Sequence, residues 1–402
     1  MNDCVRIRAL PRRVGATVLR VILAALLTAC IGETVNAPEG SCPSGSVRLE
    51  SGCIDSARVA DDVRGIMRDT MNEYGLRSAI AGVSVGGVPV ITEALGESAT
   101  GETARVDMHW RNGAIAIPYM TTVLLQLADR QALRLDEKLA KWFPHYPNAD
   151  RITLAMLANN TSGYADYVNL DLLPILDDPY RQWTPAELLA TAFAQPMVCD
   201  PGTCFAYAHT NYVILGQVLS LAAGKPLATL IREGVLAPLR LNDTRSEDTP
   251  FIAPPVLHAF TSERGRYEES TDWNPSWTLA EGAIMTSSVP DVLRSAVAIG
   301  TGELVSAPAF AQFIDPTTAK FPGLSGSFYY GLGVIVTSGW IAQTPSFFGY
   351  SGVMAYLPEH RIAVALASTM SPTTPDNNVT LRLFQRIATR LAPSHRPALA
   401  GI

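Results

Sequence analysis

The chain has 402 residues, of which 48% are hydrophobic and 17% charged, and its formal net charge is −6. This composition is typical of a globular protein with a substantial core and argues against a disordered chain. The acidic balance gives no support to nucleic-acid binding, which normally needs a basic surface, so we expect no nucleic-acid partner.

The first 29 residues have the pattern of an export signal. Five arginines accompany a short apolar run at 21–28, far below the roughly 20 residues that a membrane span needs. The run ends in Leu27-Thr28-Ala29-Cys30, which resembles the lipobox of bacterial lipoproteins. That resemblance implies a signal peptide over 1–29 and a lipid on Cys30 that holds the mature chain on the extracytoplasmic side of the cell membrane. An ordinary signal peptide with a cysteine nearby is the alternative.

Four of the six cysteines lie beyond this signal, in two close pairs. Cys42 and Cys53 flank a short loop, and Cys199 and Cys204 flank Asp-Pro-Gly-Thr. Two local disulfides suit an oxidising compartment. A metal site is the rival interpretation, but the sequence has no Cys-x-x-Cys spacing and no His-x-x-x-His pair. We therefore predict both disulfides, no metal and no cofactor.

The first predicted elements are a tether, a helix and a hairpin. Residues 30–57 are rich in Gly, Ser, Pro and Glu, which predicts a tether with one small disulfide loop, and a helix follows over 58–74. Two apolar, β-branched runs at 78–85 and 88–95 are joined by Gly86-Gly87, a pattern typical of a hairpin. Ser84 in this hairpin matches Gly-x-Ser-x-Gly, but a hydrolase nucleophile there would need a strand followed by a helix.

The rest of the chain is predicted to be helical first and then to return to strands. Helical periodicity begins at 118–130, and helices and loops continue to about 280; strands are predicted at 330–336, 354–357 and 362–368, and a last helix at 379–391. Strands near both ends of a domain over 58–395 predict an α/β (α+β) fold. Its mainly antiparallel sheet is flanked by helices and carries an inserted all-helical region at about 120–280. Residues 396–402 are predicted to form a tail.

Several short segments between residues 60 and 392 carry a family resemblance. They are ITLAMLANNTSGY at 152–164, PGTCFAY at 201–207, TNYVILG at 210–216, EGAIMTS at 281–287, YGLG at 330–333 and GYS at 349–351. Each is weak alone. Together, in this order and spacing, they resemble the serine β-lactamase-related family of class C β-lactamases, penicillin-binding D-alanyl-D-alanine carboxypeptidases and related esterases. The resemblance implies the β-lactamase-like fold.

The family's first motif is a Ser nucleophile followed three residues later by Lys, at the start of a helix. Positions i and i+3 share a helix face, so the amine can take the hydroxyl proton. The family pattern R-x-G-S-x-T-K-P-F lies over Arg111 to Tyr119. It places Ala114 at the nucleophile position and Ile117 at the lysine position. A wrong register is the alternative, but no Ser in the chain has a Lys three residues later.

The second and third motifs are altered as well. The family's Tyr-x-Asn corresponds to Tyr207-Ala208-His209, which keeps the tyrosine. The Lys- or His-Thr/Ser-Gly motif falls on Gln343-Thr344-Pro345, and Tyr350-Ser351-Gly352 is a rival placement; neither has the basic residue. A tyrosine needs a nearby positive charge to lower its pKa from about 10. Neither motif lysine is present to supply one.

These replacements predict a catalytically inactive or severely impaired protein. Removing the nucleophile or base of such a site costs on the order of a millionfold in turnover. We expect ligand binding in the family cleft through Tyr207, His209, Thr344 and Ser346, with a cell-wall peptide, an acylated small molecule or a protein as the partner. A weak serine hydrolase and a purely structural envelope protein are the alternatives.

Overall fold

The computed structural model describes residues 42–168, 174–375 and 379–398. The predicted signal peptide and Cys30 lie outside the described residues. The described residues from Pro43 onward belong to one compact unit, which is described below.

Strands form the two ends of this unit and helices most of its middle. The strands are β1 (Ser46–Leu49), β2 (Gly52–Asp55), β3 (Leu76–Val85), β4 (Val88–Ala99), β5 (Glu102–Thr103), β6 (Trp110–Arg111), β7 (Arg245–Ser246), β8 (Phe260–Thr261), β9 (Glu268–Glu269), β10 (Met285–Ser287), β11 (Phe328–Tyr330), β12 (Ile335–Thr337), β13 (Trp340–Gln343), β14 (Ser346–Phe347), β15 (Tyr350–Leu357) and β16 (Ile362–Met370). The helices are α1 (Ser56–Tyr74), α2 (Ala116–Asp129), α3 (Leu154–Ala158), α4 (Pro185–Phe193), α5 (His209–Ala223), α6 (Leu227–Ile231), α7 (Ala237–Leu239), α8 (Val289–Thr301), α9 (Ala307–Phe313) and α10 (Val379–Leu391).

The main sheet has nine strands in the order β11-β12-β13-β15-β16-β3-β4-β5, with β14 paired to β15. All its pairs are antiparallel, and β16 pairs with β3 along almost its full length. A strand from near the end of the chain therefore lies beside one from near its start. The predicted mainly antiparallel sheet, built from both ends of the domain, is confirmed.

Apolar side chains along β3 alternate between the two faces of the sheet, which explains why helices cover both faces. Ala81 and Val83 belong to a core cluster shared with α1 and α10, whereas Ile80 belongs to the core on the opposite face. Gly82 lies on that opposite face against α8, where an added Cβ would be 3.2 Å from Leu293 Cδ2. Since successive strand residues point to opposite faces, an apolar run of this kind is buried on both.

Two sequence predictions need correction. Residues 46–55, assigned to the tether, form the β1–β2 hairpin, because Val47 and Leu49 are buried in the core with α1. The single strand predicted at 330–336 is instead the pair β11 and β12, because the chain turns at Gly333, whose φ is 79°. The hairpin of β3 and β4, the hairpin of β15 and β16, and helices α1, α2 and α10 are confirmed.

The middle of the chain, from α2 to α8, holds α3 to α7 with only short strands between them. Within the described residues no single helix is long and apolar enough to cross a membrane; α5 and the stretch Leu227–Leu239 reach that size and composition only as a pair bent by 78°.

Candidate functional site

The positions of all three motifs converge on one cavity of about 330 Å³. Its walls come from the turn before α2, the start of α5, the loop before β10 and the end of β13. The lining residues are Gly113, Ala114, Val168, Tyr207, His209, Trp277, Thr278, Leu279, Tyr330, Ile335, Gln343, Thr344, Pro345, Ser346 and Phe347. Each candidate site residue of the sequence is therefore at the cavity except Ile117.

The nucleophile position carries a methyl group. Ala114 lies in the 3-10 turn Gly113–Ile115 directly before α2, so its side chain faces the cavity at the start of a helix. Ile117 is completely buried one turn later and packs against Gly333, where an added Cβ would lie 2.8 Å from Ile117 Cγ2. The aliphatic side chain of Ile117 thus stands at the position of the family's lysine. Neither Ala114 nor Ile117 can transfer a proton.

Hydrogen bonds to Asn160 hold the backbone on both sides of Tyr207. The amide of Ala206 donates to the Asn160 carbonyl at 2.9 Å, and the amide of Ala208 donates to Asn160 Oδ1 at 3.1 Å. Asn160 itself has a left-handed backbone, with φ of 59°, and also donates to Tyr212 Oη at 2.7 Å. One buried asparagine therefore fixes the backbone on either side of Tyr207.

The cavity tyrosines are hydrogen-bond donors rather than bases at neutral pH. Burial raises the pKa of Tyr207 well above its ordinary value, and nearby Tyr330 and Asp166 raise it further. Burial also raises the pKa of Tyr330 to about 12, despite hydrogen bonds from Tyr212 and Gln343. Without a cation to stabilise a phenolate, Tyr207 keeps its proton and cannot accept one from a nucleophile.

His209 forms a pair with a buried carboxylate that the sequence reasoning missed. His209 Nδ1 lies 2.9 Å from Asp166 Oδ2, and the Asp166 side chain is only 3% exposed. Because a carboxylate accepts, Nδ1 carries a hydrogen, and in a neutral ring Nε2 is then the acceptor. Among the described residues Nε2 has no hydrogen-bond partner, and His209 lines the cavity. This is the geometry of an oriented base or of a ligand-binding imidazole.

The third motif ends in a break in the sheet. Gln343 is buried at the end of β13 and donates through Nε2 to the Gly333 carbonyl at 2.7 Å and to Tyr330 Oη at 3.1 Å. Pro345 has no amide hydrogen, and regular pairing with β15 resumes only at β14. Gln343, Thr344 and Pro345 line the cavity, whereas the rival segment 350–352 does not. The geometry therefore supports the first placement.

Aromatic side chains form another part of the cavity wall. The Trp277 ring lies 6.2 Å from that of Phe347 and 5.1 Å from that of Phe348, in edge-to-face contacts. Sequence reasoning missed Trp277 and Phe347 as well as Asp166. A single sequence gives no local signal for them, since Asp166 and Trp277 lie in loops and Phe347 lies in the two-residue strand β14.

Among the described residues that line the cavity, none is Lys or Arg. Arg111, the arginine nearest to the first motif in sequence, donates to the carbonyls of Glu247, Thr249 and Phe251. The Arg111 guanidinium is thus already hydrogen-bonded to backbone carbonyls. The cavity offers hydroxyls, an imidazole, an amide and aromatic faces, and the Asp166 carboxyl is buried beside its imidazole.

Two disulfides are present in the structure. Cys199 and Cys204 are bonded to each other, with their Cα atoms 6.2 Å apart, and close the loop directly before Tyr207. Cys42 and Cys53 are also disulfide-bonded. Ser84, by contrast, is buried within β3 and does not line the cavity, so the Gly-x-Ser-x-Gly pattern is not a nucleophile elbow here.

Comparison with known proteins agrees with this geometry. The model of the Beta-lactamase family matches residues 63–387. Penicillin-binding protein 4 of Amycolatopsis lactamdurans is 29% identical over 150 residues, 36% of this chain and 38% of that protein. Esterase EstB of Burkholderia gladioli is 26% identical over 280 residues, 61% of this chain and 71% of that protein. The chain therefore belongs to the β-lactamase family.

A solved structure supports the same fold. The D-stereospecific amidohydrolase from Streptomyces sp. superposes with a TM-score of 0.71 at 22% identity, covering 83% of this chain and 98% of that one. The chain spans less than two thirds of the length of the curated penicillin-binding proteins it matches. The family and the fold follow from these likenesses.

Proposed function

We propose that this protein binds a ligand in the β-lactamase-family cleft without forming the family's acyl-enzyme. The observation that carries the proposal is Ala114 at the nucleophile position with Ile117 buried at the lysine position. Tyr207 cannot compensate, because its raised pKa keeps the hydroxyl protonated. What remains is a shaped cavity with oriented donors and acceptors, which is sufficient for binding.

The ligand class follows from the charge of the cavity. With no cation on its wall and Asp166 behind His209, the cavity favours an uncharged or cationic group over a carboxylate. Trp277, Tyr207 and Phe347 supply faces for an apolar or cationic part. A cell-wall peptide held through its amides, or an acylated small molecule, fits this chemistry. A segment of a protein partner would be held in the same way.

The test compares acylation of the natural chain with acylation of a variant in which the first motif, Ser followed three residues later by Lys, is restored. The purified chain and the double variant Ala114→Ser plus Ile117→Lys are each incubated with a β-lactam and a chromogenic ester, and turnover and intact mass are recorded. We expect no adduct in the natural chain and a β-lactam adduct in the double variant, because the hydroxyl and amine would again share one helix face. Ala114→Ser alone is the matched control and should stay far less reactive. A covalent adduct on the natural chain would overturn the proposal.

A second candidate function is weak hydrolysis, which the Asp166–His209 pair specifically favours. An imidazole oriented by a carboxylate can act as a general base toward a water or a substrate hydroxyl. In the same assay, any turnover by the natural chain should then disappear in His209→Ala. Turnover that survives this change would have another origin.

We also propose that the protein is anchored by lipid on Cys30 and faces the extracytoplasmic side of the cell membrane. The support is the lipobox-like sequence before Cys30 together with the two disulfides, which suit an oxidising compartment. Cell fractionation should find the natural chain with the membrane and Cys30→Ser in the soluble fraction. The proposed lipid anchor would be contradicted if the natural chain and Cys30→Ser were distributed equally between the membrane and soluble fractions.

A further inference from the structure

Three segments that are far apart in sequence bring metal-ligating side chains together outside the cleft. Glu50 follows β1, His360 lies in the turn between β15 and β16, and His395 ends the 3-10 turn after α10. One potential ligand atom from each lies within 4.8 Å of the others. None of the three lines the cavity described above.

A second carboxylate completes the group. Glu359 Oε2 lies 3.1 Å from His395 Nε2, and Glu359 Oε1 lies 4.0 Å from His360 Nε2. On the other side of the His395 ring, Nδ1 lies 3.8 Å from Glu50 Oε2. The hydrogen-bond partner of Nδ1 is Ser394 Oγ at 3.0 Å. An ion at Nδ1 would replace this hydroxyl while Glu359 orients the ring through Nε2, and a carboxylate on the far nitrogen is the usual support of a metal-bound histidine.

The imidazole of His360 gives an independent indication that this cluster binds a cation. Its Nε2 is buried and has no hydrogen-bond partner among the described residues. A buried polar atom left without a partner costs free energy, so most such atoms in native proteins are satisfied. A cation held between His360 and the two carboxylates would satisfy it. The two imidazole rings already meet edge to face, with centroids 5.1 Å apart.

The chain holds these groups in place without help from an ion. The Glu50 carboxylate accepts from the Ser394 amide at 3.0 Å, and Trp340 Nε1 donates to the His395 carbonyl at 2.8 Å. Gly339 leaves room for the His395 ring, since an added Cβ there would be 3.3 Å from His395 Cδ2. Hydrogen bonds from the Ser394 amide and the Trp340 indole thus hold Glu50 and His395 in place before an ion binds.

We propose that Glu50, His360 and His395 bind a Zn²⁺ ion, with Glu359 or a water as the fourth ligand. Imidazole and carboxylate are ligands that zinc accepts, and two histidines separate this group from the all-oxygen sites that Mg²⁺ and Ca²⁺ prefer. The ion would tie the β1–β2 hairpin, the β15–β16 turn and the carboxyl-terminal segment together. Because metal binds only where the ligands converge, it would stabilise the folded chain.

Zinc titration of the full chain tests the site. The chain is prepared without a polyhistidine tag, stripped with EDTA and dialysed, and then titrated with ZnCl₂ while bound metal and the thermal midpoint are measured. We expect about one zinc per chain that is lost in the variants, and a midpoint that rises by several degrees and falls again with EDTA. MgCl₂ should produce neither effect.

Variants separate this site from zinc bound elsewhere. His360→Ala and His395→Ala should each weaken zinc binding by about tenfold or more. Glu50→Gln should weaken it as well while keeping an acceptor for the Ser394 amide, so it serves if a histidine variant fails to fold. His258→Ala is the matched control, because His258 Nδ1 lies 2.6 Å from Glu269 Oε1 and His258 does not belong to this cluster.

Two outcomes would overturn the proposal. One is the absence of saturable zinc binding in the stripped chain. The other is zinc binding that is equally strong in His360→Ala, His395→Ala and Glu50→Gln, which would place the metal at other groups. In either case the cluster would be a set of ion pairs between histidines and glutamates.

Discussion

At the scale of single residues, Asn160 is the polar side chain on which the cleft depends. It donates to Tyr212 and accepts from the Ala208 amide and from Asn211 Nδ2, at 2.7 to 3.1 Å. It is fully buried and has a left-handed backbone, which asparagine tolerates better than most residues. Removing its amide would leave several buried groups without partners.

We therefore expect Asn160→Ala to lower the free energy of unfolding by about 3 kcal/mol, most of it from unsatisfied groups and about 1 kcal/mol from backbone strain. Chemical denaturation measures the change. The matched control is Asn148→Ala, because Asn148 has a similar φ of 53° but its side chain makes no hydrogen bond among the described residues. Equal losses in the two variants would show that backbone strain alone is responsible.

At the scale of elements, the contact of α8 with the sheet depends on how closely the helix approaches β15. Gly300 in α8 has no room for a side chain, since an added Cβ would be 2.3 Å from Tyr356 Cδ1 and 2.5 Å from Tyr356 Cβ. Gly65 in α1 is the opposite case, with no heavy atom within 4 Å of an added Cβ. Both glycines have ordinary helical backbones.

The two positions give opposite predictions for the same substitution. Gly300→Ala should destabilise the protein by about 1 to 3 kcal/mol, because Tyr356 or the helix must move. Gly65→Ala should stabilise it by up to about 1 kcal/mol, because alanine has the higher helix propensity. Both changes are read as shifts of the denaturation midpoint. A stabilised Gly300→Ala would mean that α8 is not packed as described.

At the scale of the whole molecule, the cleft lies where the end of strand β13 meets the helical region. The sheet contributes Gln343 and Thr344, while the helical region contributes Tyr207 and His209. The charge of the wall is therefore set by residues from separate parts of the chain. Within that wall, Gln343 stands where the family's third motif has its cation.

A lysine at position 343 should restore recognition of a carboxylate. The Lys ammonium in Gln343→Lys can still donate to the Gly333 carbonyl, and it adds the missing positive charge. We expect the natural chain to bind a D-alanyl-D-alanine peptide no more tightly than its carboxamide. In the variant the free acid should gain about tenfold over the amide, as for a charged hydrogen bond. Calorimetry on the matched pair of peptides measures the ratio, and an unchanged ratio would contradict the role given to the wall charge.

The sequence by itself determined the sheet-forming hairpins, the main helices, the family and the altered motifs. Apolar runs joined by Gly86-Gly87 and a periodic stretch before Asp129 are local signals, and local signals are what periodicity and turn chemistry report. The same holds for Ala114 and Ile117, whose places follow from neighbouring Gly113 and Pro118. The tether boundary failed because Val47 and Leu49 are buried in a core that also includes residues of α10, near the other end of the chain.

Only the tertiary structure decided which side chains face one another. Asp166 reaches His209 across 43 positions of chain, and Glu50 meets His360 and His395 from the opposite end of the sequence. No spacing rule predicts such pairs, because loops and antiparallel pairing bring them together rather than a shared helix or strand. Pairing of β3 with β16 joins the two ends of the domain, and so both the cleft and the proposed zinc site exist only in the folded chain.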